Sequence, residues 1–503
     1  MARWFVDRSA QRGIPSVSLR RLLPEARFVG CRDLVVSGCS ADSRRLDPGQ
    51  VFIALRGNRH DGHQFVDLAL ERGAAAVVVE RLCPTAGPLQ VVVPDSRQAH
   101  ARLCHALAGG PSETLPVIGV TGVSGRSATI MFLRAIHELS GARFGLIGAS
   151  GWSDGVNPHP AGSTLPGPEP LAEMLAAMVE RGCVGSAIEA DDEALDRRSI
   201  AGIQFDAAIA LGVEGPEDES NGAVLARQRR QARLFRQIVP GGLAVVNADD
   251  RQADLLSAVN LESRRVSFSL EGSGDVCGRI ERMDASGTRL RLFGLDREAT
   301  VTLRPIGRRN ATAALAAATL AWARGLPTDF VVAGLEAVAR VPGQLEPLAD
   351  DASPFLVVAD RARTGLELRE TLAVLREVCP GRIHALLSVG DGPSSRASLA
   401  GLAEVGVDRL VLTLDDPRAA GTDPVLDGCL ASLRRPGRVR VELDRRLAIE
   451  EVLSQAVAGD AVLIIGRGVH TVSIRPDRAL PVGDRALVAR WLRQRRTPLR
   501  RSA

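Results

Sequence analysis

The chain has 503 residues, of which 45% are hydrophobic and 3% aromatic, with no tyrosine, and its formal net charge is +4. So small a charge gives no global attraction to nucleic acid, and so few aromatics give no stacking platform for single strands. All 63 basic residues are arginine, which excludes any chemistry that needs a lysine amine.

The length suggests roughly three domains. The cysteines at 31, 39, 83, 104, 183, 277, 379 and 429 form no Cys-x-x-Cys pair. That spacing argues against zinc and against a disulfide framework, and reads as reduced core thiols of a cytoplasmic protein. The first residues have no apolar signal core, and no run of eighteen apolar residues suggests a membrane span.

In chain order, residues 1–113 carry short strand-like runs at 51–55, 75–79 and 91–93 around a helix-like stretch at 64–72. Pro111-Ser-Glu-Thr-Leu-Pro116 reads as a linker. Residues 114–340 alternate apolar strands (117–121, 144–147, 185–189, 207–211, 243–247) with helices, the pattern of a parallel, doubly wound α/β sheet. Gly119-Val-Thr-Gly-Val-Ser-Gly-Arg-Ser127 follows the first of these strands and opens a helix. That is the position of a phosphate-binding loop, with Gly122 and Gly125 shaping the backbone, Arg126 where such loops carry lysine, and Ser127 offering a hydroxyl. An insert of shorter, turn-rich strands is expected over 262–305, followed by an Ala-rich helix from Asn310 to residue 324. Residues 341–503 repeat the strand–helix alternation at 355–359, 384–388, 409–412, 439–441 and 462–465, a second, Rossmann-like sheet. The tail from Arg490 holds six arginines in fourteen residues and reads as a solvated, fraying helix end.

Asp42-Ser-Arg-Arg-Leu-Asp-Pro-Gly-Gln-Val-Phe-Ile-Ala-Leu-Arg-Gly57, then Asp61-Gly-His63 and residues 73–80, resembles the N-terminal domain of the Mur ligase family, nearest to its UDP-N-acetylmuramoyl-tripeptide synthetases. The resemblance runs in order from about residue 35 to about residue 470. It implies a three-domain architecture: an N-terminal domain (1–113) that holds a UDP-linked muramoyl-peptide precursor, a central ATP-binding domain (114–340) and a C-terminal Rossmann-like domain (341–503) with the Arg-rich tail. It also implies ATP and Mg²⁺ as cofactors, and the precursor and other cell-wall synthesis proteins as partners. By resemblance, Ser43, Arg44 and Thr164 meet the precursor, and Asn247, Asn310 and Asp360 meet the nucleotide. Ser127 and Glu189 hold magnesium. Asp416 and Arg418, inside Asp415-Asp-Pro-Arg418, select the incoming amino acid, with a lean toward diaminopimelate through its distal carboxylate. His63 reads as a hydrogen bonder that fixes its loop.

The resemblance breaks at the chemistry. The loop lysine is Arg126. The family's Met-Glu-Val-Ser-Ser-His-Ala-Leu is Ile188-Glu-Ala-Asp-Asp-Glu-Ala-Leu195, so its histidine is Glu193 and three new carboxylates face an anionic substrate. Its carbamylated lysine is Gln231, its aspartate and histidine in the following loop are Pro216 and Glu217, and its substrate-contacting arginine is Ser199. Its final Gly-Lys-Gly-His-Glu is Gly466-Arg-Gly-Val-His470. Framework kept and chemistry altered reads as a pseudoenzyme that retains precursor binding. The alternatives are an active amide ligase with replaced ion partners, and a scaffold protein.

Overall fold

The computed structural model describes residues 16–496 apart from 31, 58–59, 85–88, 161–164, 214–218, 251, 253–255, 257, 350–352, 363, 390–392, 415–421 and 467–482. Thr164, Pro216, Glu217, Asp416, Arg418 and residues 467–470 therefore lie outside the described residues.

Three main sheets succeed one another along the chain. The first has five strands, β1 (Arg27–Val29), β2 (Cys39–Ser40), β3 (Val51–Ile53), β4 (Ala76–Val79) and β5 (Gln90–Val92), in the order β1-β5-β4-β3-β2. Only β1 runs antiparallel to its neighbour. The continuous apolar runs of β3 and β4 are buried on both faces, which parallel strands covered by helices require. Helix α1 (Ser96–Leu107) follows, its first turn capped by the Asp95 carboxylate accepting from the Gln98 N–H.

The second sheet has eleven strands. These are β6 (Val117–Thr121), β7 (Phe144–Gly148), β8 (Gly151–Ser153), β9 (Pro158–Pro160), β10 (Gly185–Glu189), β11 (Phe205–Ala210), β12 (Ile238–Asn247), β13 (Arg264–Ser269), β14 (Val276–Asp284), β15 (Gly287–Gly294) and β16 (Arg297–Leu303). Their order is β9-β8-β7-β10-β6-β11-β12-β13-β14-β15-β16, parallel from β7 to β14 and antiparallel at both edges. Helices α2 (Arg126–Glu138), α6 (Arg308–Ala323) and α7 (Thr328–Ala337) cover one face. Helices α3 (Pro168–Glu180), α4 (Asp192–Asp196) and α5 (Asn221–Phe235) cover the other. The expected insert of shorter strands is instead a long-stranded extension of this same sheet, because β14–β16 pair along seven to nine residues each.

The third sheet comprises β17 (Glu346–Pro347), β18 (Leu356–Asp360), β19 (Ile383–Val389), β20 (Arg409–Leu414), β21 (Arg440–Val441) and β22 (Ala461–Ile465), in the order β17-β18-β22-β19-β20-β21. It is flanked by α8 (Gly365–Val378), α9 (Pro393–Gly406), α10 (Thr422–Ala431), α11 (Arg445–Gln455) and α12 (Asp484–Arg496). Of the tail, residues 490–496 lie on α12, and 497–503 lie outside the described residues. Val488 and Leu492 are buried on α12, and Trp491 sits against Phe355 with ring centroids 6.4 Å apart. An apolar stripe at helical spacing docks this helix, and Arg490, Arg493 and Arg495 are exposed.

The presumed linker also differs. Pro111–Glu113 is a 3₁₀ turn whose first two residues are buried. The Ser112 hydroxyl lies 2.8 Å from His105 Nε2 on α1 and accepts from the Gln204 N–H at 3.0 Å. It is a clamp rather than a loose connection. Among the described residues, no helix is long and apolar enough to cross a membrane.

Candidate active site

The C-terminal ends of β6, β7, β10, β11 and β12 converge on one edge of the central sheet, the edge where open α/β sheets take ligands. β6 delivers the loop of residues 122–125, and α2 begins at Arg126. Gly122 has φ 141°, and a Cβ there would lie 2.8 Å from the Leu211 Cβ, so the loop passes too close to β11 for any side chain. Gly125, at φ 83°, turns the chain into α2 and leaves the N–H groups of the first helical turn facing the loop. This cradle suits a phosphate.

Arg126 is directed elsewhere. Its Nη1 donates to the carbonyls of Gly122 and Val123, the latter at 3.3 Å, while its buried Nε has no partner among the described residues. The guanidinium therefore caps the loop's own oxygens. Ser127 is buried at the start of the helix.

Glu189 closes β10 and is buried, its carboxylate accepting from the Ala149 N–H at 3.2 Å. A Cβ at Gly148 would collide with that carboxylate, so the glycine admits it. Two residues on, Asp191 caps α4 by accepting from the Ala194 N–H at 2.7 Å. Glu193 is nearly half exposed and paired with Arg197 one turn later. Asp192 meets Arg230 at 3.1 Å and Arg227 at 3.4 Å, and Asp196 meets Arg233 at 3.4 Å. The new carboxylates thus do not face an anionic substrate uncompensated. They belong to an acidic helix laced to the arginines of α5, a lattice that no sequence motif marks.

Gln231, on the same helix, is completely buried. Its Nε2 donates to the Gly212 carbonyl at 3.3 Å, and its Oε1 has no partner among the described residues. The site therefore presents a neutral amide.

Between the central and third sheets lies a cavity of about 380 Å³ lined by Gly125, Asn247, Asn310 and Asp360 among others. The structure thus brings the phosphate loop and all three nucleotide candidates together. Asn247 Nδ2 donates to the Leu211 carbonyl at 3.0 Å. Asn310 Nδ2 donates to Ile306 at 2.8 Å, and its buried Oδ1 has no partner among the described residues. Asp360 accepts from the Leu345 and Ala362 N–H groups at 3.0 and 2.8 Å, which ties it to the connecting segment. Burial pushes its carboxyl above the ordinary carboxylate value, and neighbouring Arg309 pulls the other way. Sequence reasoning missed Arg309, whose Nε lies 3.1 Å from Glu370 of α8 and joins the two sides of the cavity. Its position next to Asn310 at the start of α6 was the available signal.

On the first sheet, Ser43 is buried and Arg44 is exposed, its guanidinium forking onto Asp42 at 2.9 and 3.0 Å. That pairing holds the Asp42 carboxyl below its ordinary value. His63 fixes its loop as expected: Nδ1 lies 2.6 Å from Asp61, and Nε2 accepts from the Glu80 N–H at 3.0 Å. The acceptor role of Nε2 puts the proton on Nδ1, facing Asp61. Ser199 is buried, and neighbouring Arg198 reaches Asp95 at the head of α1 at 3.0 Å, joining the first and second sheets.

Comparison with known proteins matches this arrangement domain by domain. The Mur ligase family catalytic domain matches residues 35–106, the Mur ligase middle domain residues 120–321, and the Mur ligase glutamate ligase domain residues 345–468. A UDP-N-acetylmuramoyl-L-alanyl-D-glutamate–2,6-diaminopimelate ligase of Alkalilimnicola ehrlichii is 32% identical over 498 residues, covering 94% of this chain and 98% of that protein. A UDP-N-acetylmuramyl-tripeptide synthetase of Roseiflexus sp. is 33% identical, covering 87% and 91%. The fold is shared with a solved UDP-N-acetylmuramoyl-L-alanyl-D-glutamate–2,6-diaminopimelate ligase at a TM-score of 0.69, with 24% identity over 96% of this chain and 100% of that one. It is also shared with MurF ligase from Thermotoga maritima in complex with ADP, at a TM-score of 0.57, 18% identity, and coverage of 90% and 98%.

Proposed function

This chain belongs to the Mur ligase family, and from that premise we propose that it is a MurE-like pseudoenzyme of peptidoglycan precursor metabolism. In this reading it is cytoplasmic, binds a UDP-N-acetylmuramoyl-peptide through the region of Ser43 and Arg44, and has lost amide ligation. The observation that carries the proposal is Gln231, buried where the family pattern has a carbamylated lysine. A carbamate is an anion able to hold a metal ion, whereas an amide is neutral, and the chain has no lysine to take over. With no anion at this position, it does not fit a second magnesium ion.

One magnesium ion and a nucleotide do fit. The glycine cradle suits phosphates, Ser127 and Glu189 offer a hydroxyl and a carboxylate at the same sheet edge, and the cavity is lined by Asn247, Asn310 and Asp360. Mg·ATP supplies a transferable phosphoryl group when bound. This retained cavity favours a second reading, an active ATP-dependent ligase adding diaminopimelate or another amino acid to UDP-MurNAc-L-Ala-D-Glu.

Calorimetry with the UDP-muramoyl dipeptide and with Mg·ATP, alongside ADP release with diaminopimelate, separates the two. The pseudoenzyme requires binding of the precursor, weaker or no binding of Mg·ATP, and ADP release at background. Turnover at an ordinary ligase rate, roughly 1–100 per second, establishes the second reading. Binding of neither ligand defeats both and leaves a scaffold protein.

A further inference from the structure

Cys39 ends the β2 side of the first sheet, sixty-five residues before Cys104. His100 and Cys104 stand four residues apart on α1, hence on one face of the helix. The fold brings that face against β2. Cys39 Sγ and Cys104 Sγ are 3.8 Å apart, and one ligand atom from each of Cys39, His100 and Cys104 lies within 4.8 Å of the others. His100 and Cys104 are buried and Cys39 is half-buried. The cysteine spacing gave no hint of this, because the three groups meet only through packing.

The separation carries the argument. A disulfide holds its sulfurs about 2.05 Å apart, and these cysteines are free. Two thiolates bound to one tetrahedral ion at about 2.3 Å each stand about 3.8 Å from one another. Two sulfurs and an imidazole nitrogen form a borderline-soft donor set, which suits zinc rather than magnesium or calcium. We propose that Cys39, His100 and Cys104 form a binding site for one thiophilic divalent cation, Zn²⁺ by donor type, with a fourth position left open.

Binding releases thiol protons to solvent and exchanges them for metal–sulfur bonds. The ion would pin α1 to β2, only three residues before Asp42, and so stiffen the loop of Ser43 and Arg44. The site is independent of whether the protein ligates.

The test uses the untagged full-length chain, reduced with a phosphine, stripped by chelator and titrated with Zn²⁺ by calorimetry and with Co²⁺ by absorbance. The expected result is one ion per chain, a sulfur-to-cobalt charge-transfer band, and a rise in melting temperature with Zn²⁺. Cys39→Ser should weaken binding at least about tenfold and abolish part of the band, as should Cys104→Ser, while Cys277→Ser should leave both unchanged. If Cys104→Ser does not fold, the half-buried Cys39→Ser carries the test alone, with circular dichroism of the ion-free chain as the folding check. No charge-transfer band, equal affinity in wild type and Cys39→Ser, or a reduced chain that takes up no ion but oxidises to a Cys39–Cys104 disulfide would each overturn the proposal.

Discussion

In the pseudoenzyme we propose, Arg126 and Gln231 fall short at different tasks, and the difference decides what can be repaired. Arginine keeps the loop's positive charge but turns its Nη1 on the Gly122 and Val123 carbonyls. Gln231 keeps the burial but cannot supply an anion. Restoring the cation alone leaves the second ion without a bridge and Glu193 where the family pattern has a histidine. Interactions of this type are typically worth about 3 kcal/mol each, roughly a hundredfold in rate. Arg126→Lys alone is therefore expected to stay at background in an ADP-release assay, while Arg126→Lys with Gln231→Lys and Glu193→His rises above it. Ordinary turnover by Arg126→Lys alone would falsify this. At this scale the sequence was legible wherever a residue's role is set by its neighbours in the chain, as with His63 beside Asp61. It was not legible where the partner is distant: the Asp192–Arg230 pair spans thirty-eight residues, and nothing in either segment announces the other.

Elements were read best where both faces are buried, as in Val117–Thr121 and Gly185–Glu189, whose observed bounds coincide with those expected from the sequence. The hairpin β15–β16 shows why other elements were hidden. Gly294 pairs with Arg297, so Leu295 and Asp296 form a two-residue turn with φ of 50° and 57°. Both angles are left-handed, the type I′ geometry that normally selects Asn-Gly. A leucine there gives no turn signal and costs roughly 1 kcal/mol of backbone strain. Leu295→Asn is thus expected to stabilise the chain by about 0.5–1 kcal/mol, seen as a higher urea midpoint at unchanged slope. A lower midpoint would mean that the part-exposed Leu295 contributes more through contacts than it loses through strain.

On the scale of the whole molecule, we propose division into three domains near residues 113 and 341, with different joints. The first is clamped by Asp95–Arg198 and by His105 against Ser112 and Gln204. Burial lowers the His105 pKa to about 4, well below the unfolded value near 6.5. The unfolded chain therefore binds the proton more readily, and His105 contributes stability above about pH 6.5 that is lost as pH falls toward 4, up to about 3 kcal/mol. His105→Gln should flatten that part of the melting-temperature profile between pH 7 and 4, and a slope identical to wild type would remove His105 as its source. The second joint carries Arg309–Glu370 across the cavity between the central and third sheets. An ion pair with one partner nearly half exposed is worth about 1 kcal/mol, a shift of about fivefold in a two-state equilibrium. Glu370→Gln is expected to enlarge the radius of gyration in X-ray scattering at low salt and to have little effect at high salt. The overall architecture was legible because strand–helix alternation recurs in each segment. The joints were not, because Pro111–Pro116 has the composition of a linker while its buried Ser112 makes it a fastening.

Helix α6 is walled in along nearly its whole length, and most of what it buries is alanine. Alanine has no rotamers to adjust, so α6 meets α2 at a spacing set by backbone alone. The start of α2, and with it the curve of the phosphate loop, is held by this pairing and by the passage of Gly122 beside Leu211. The loop's shape is in that sense cast by the core: the mould is kept by the packing that holds the sheet together, and not by the chemistry run in it.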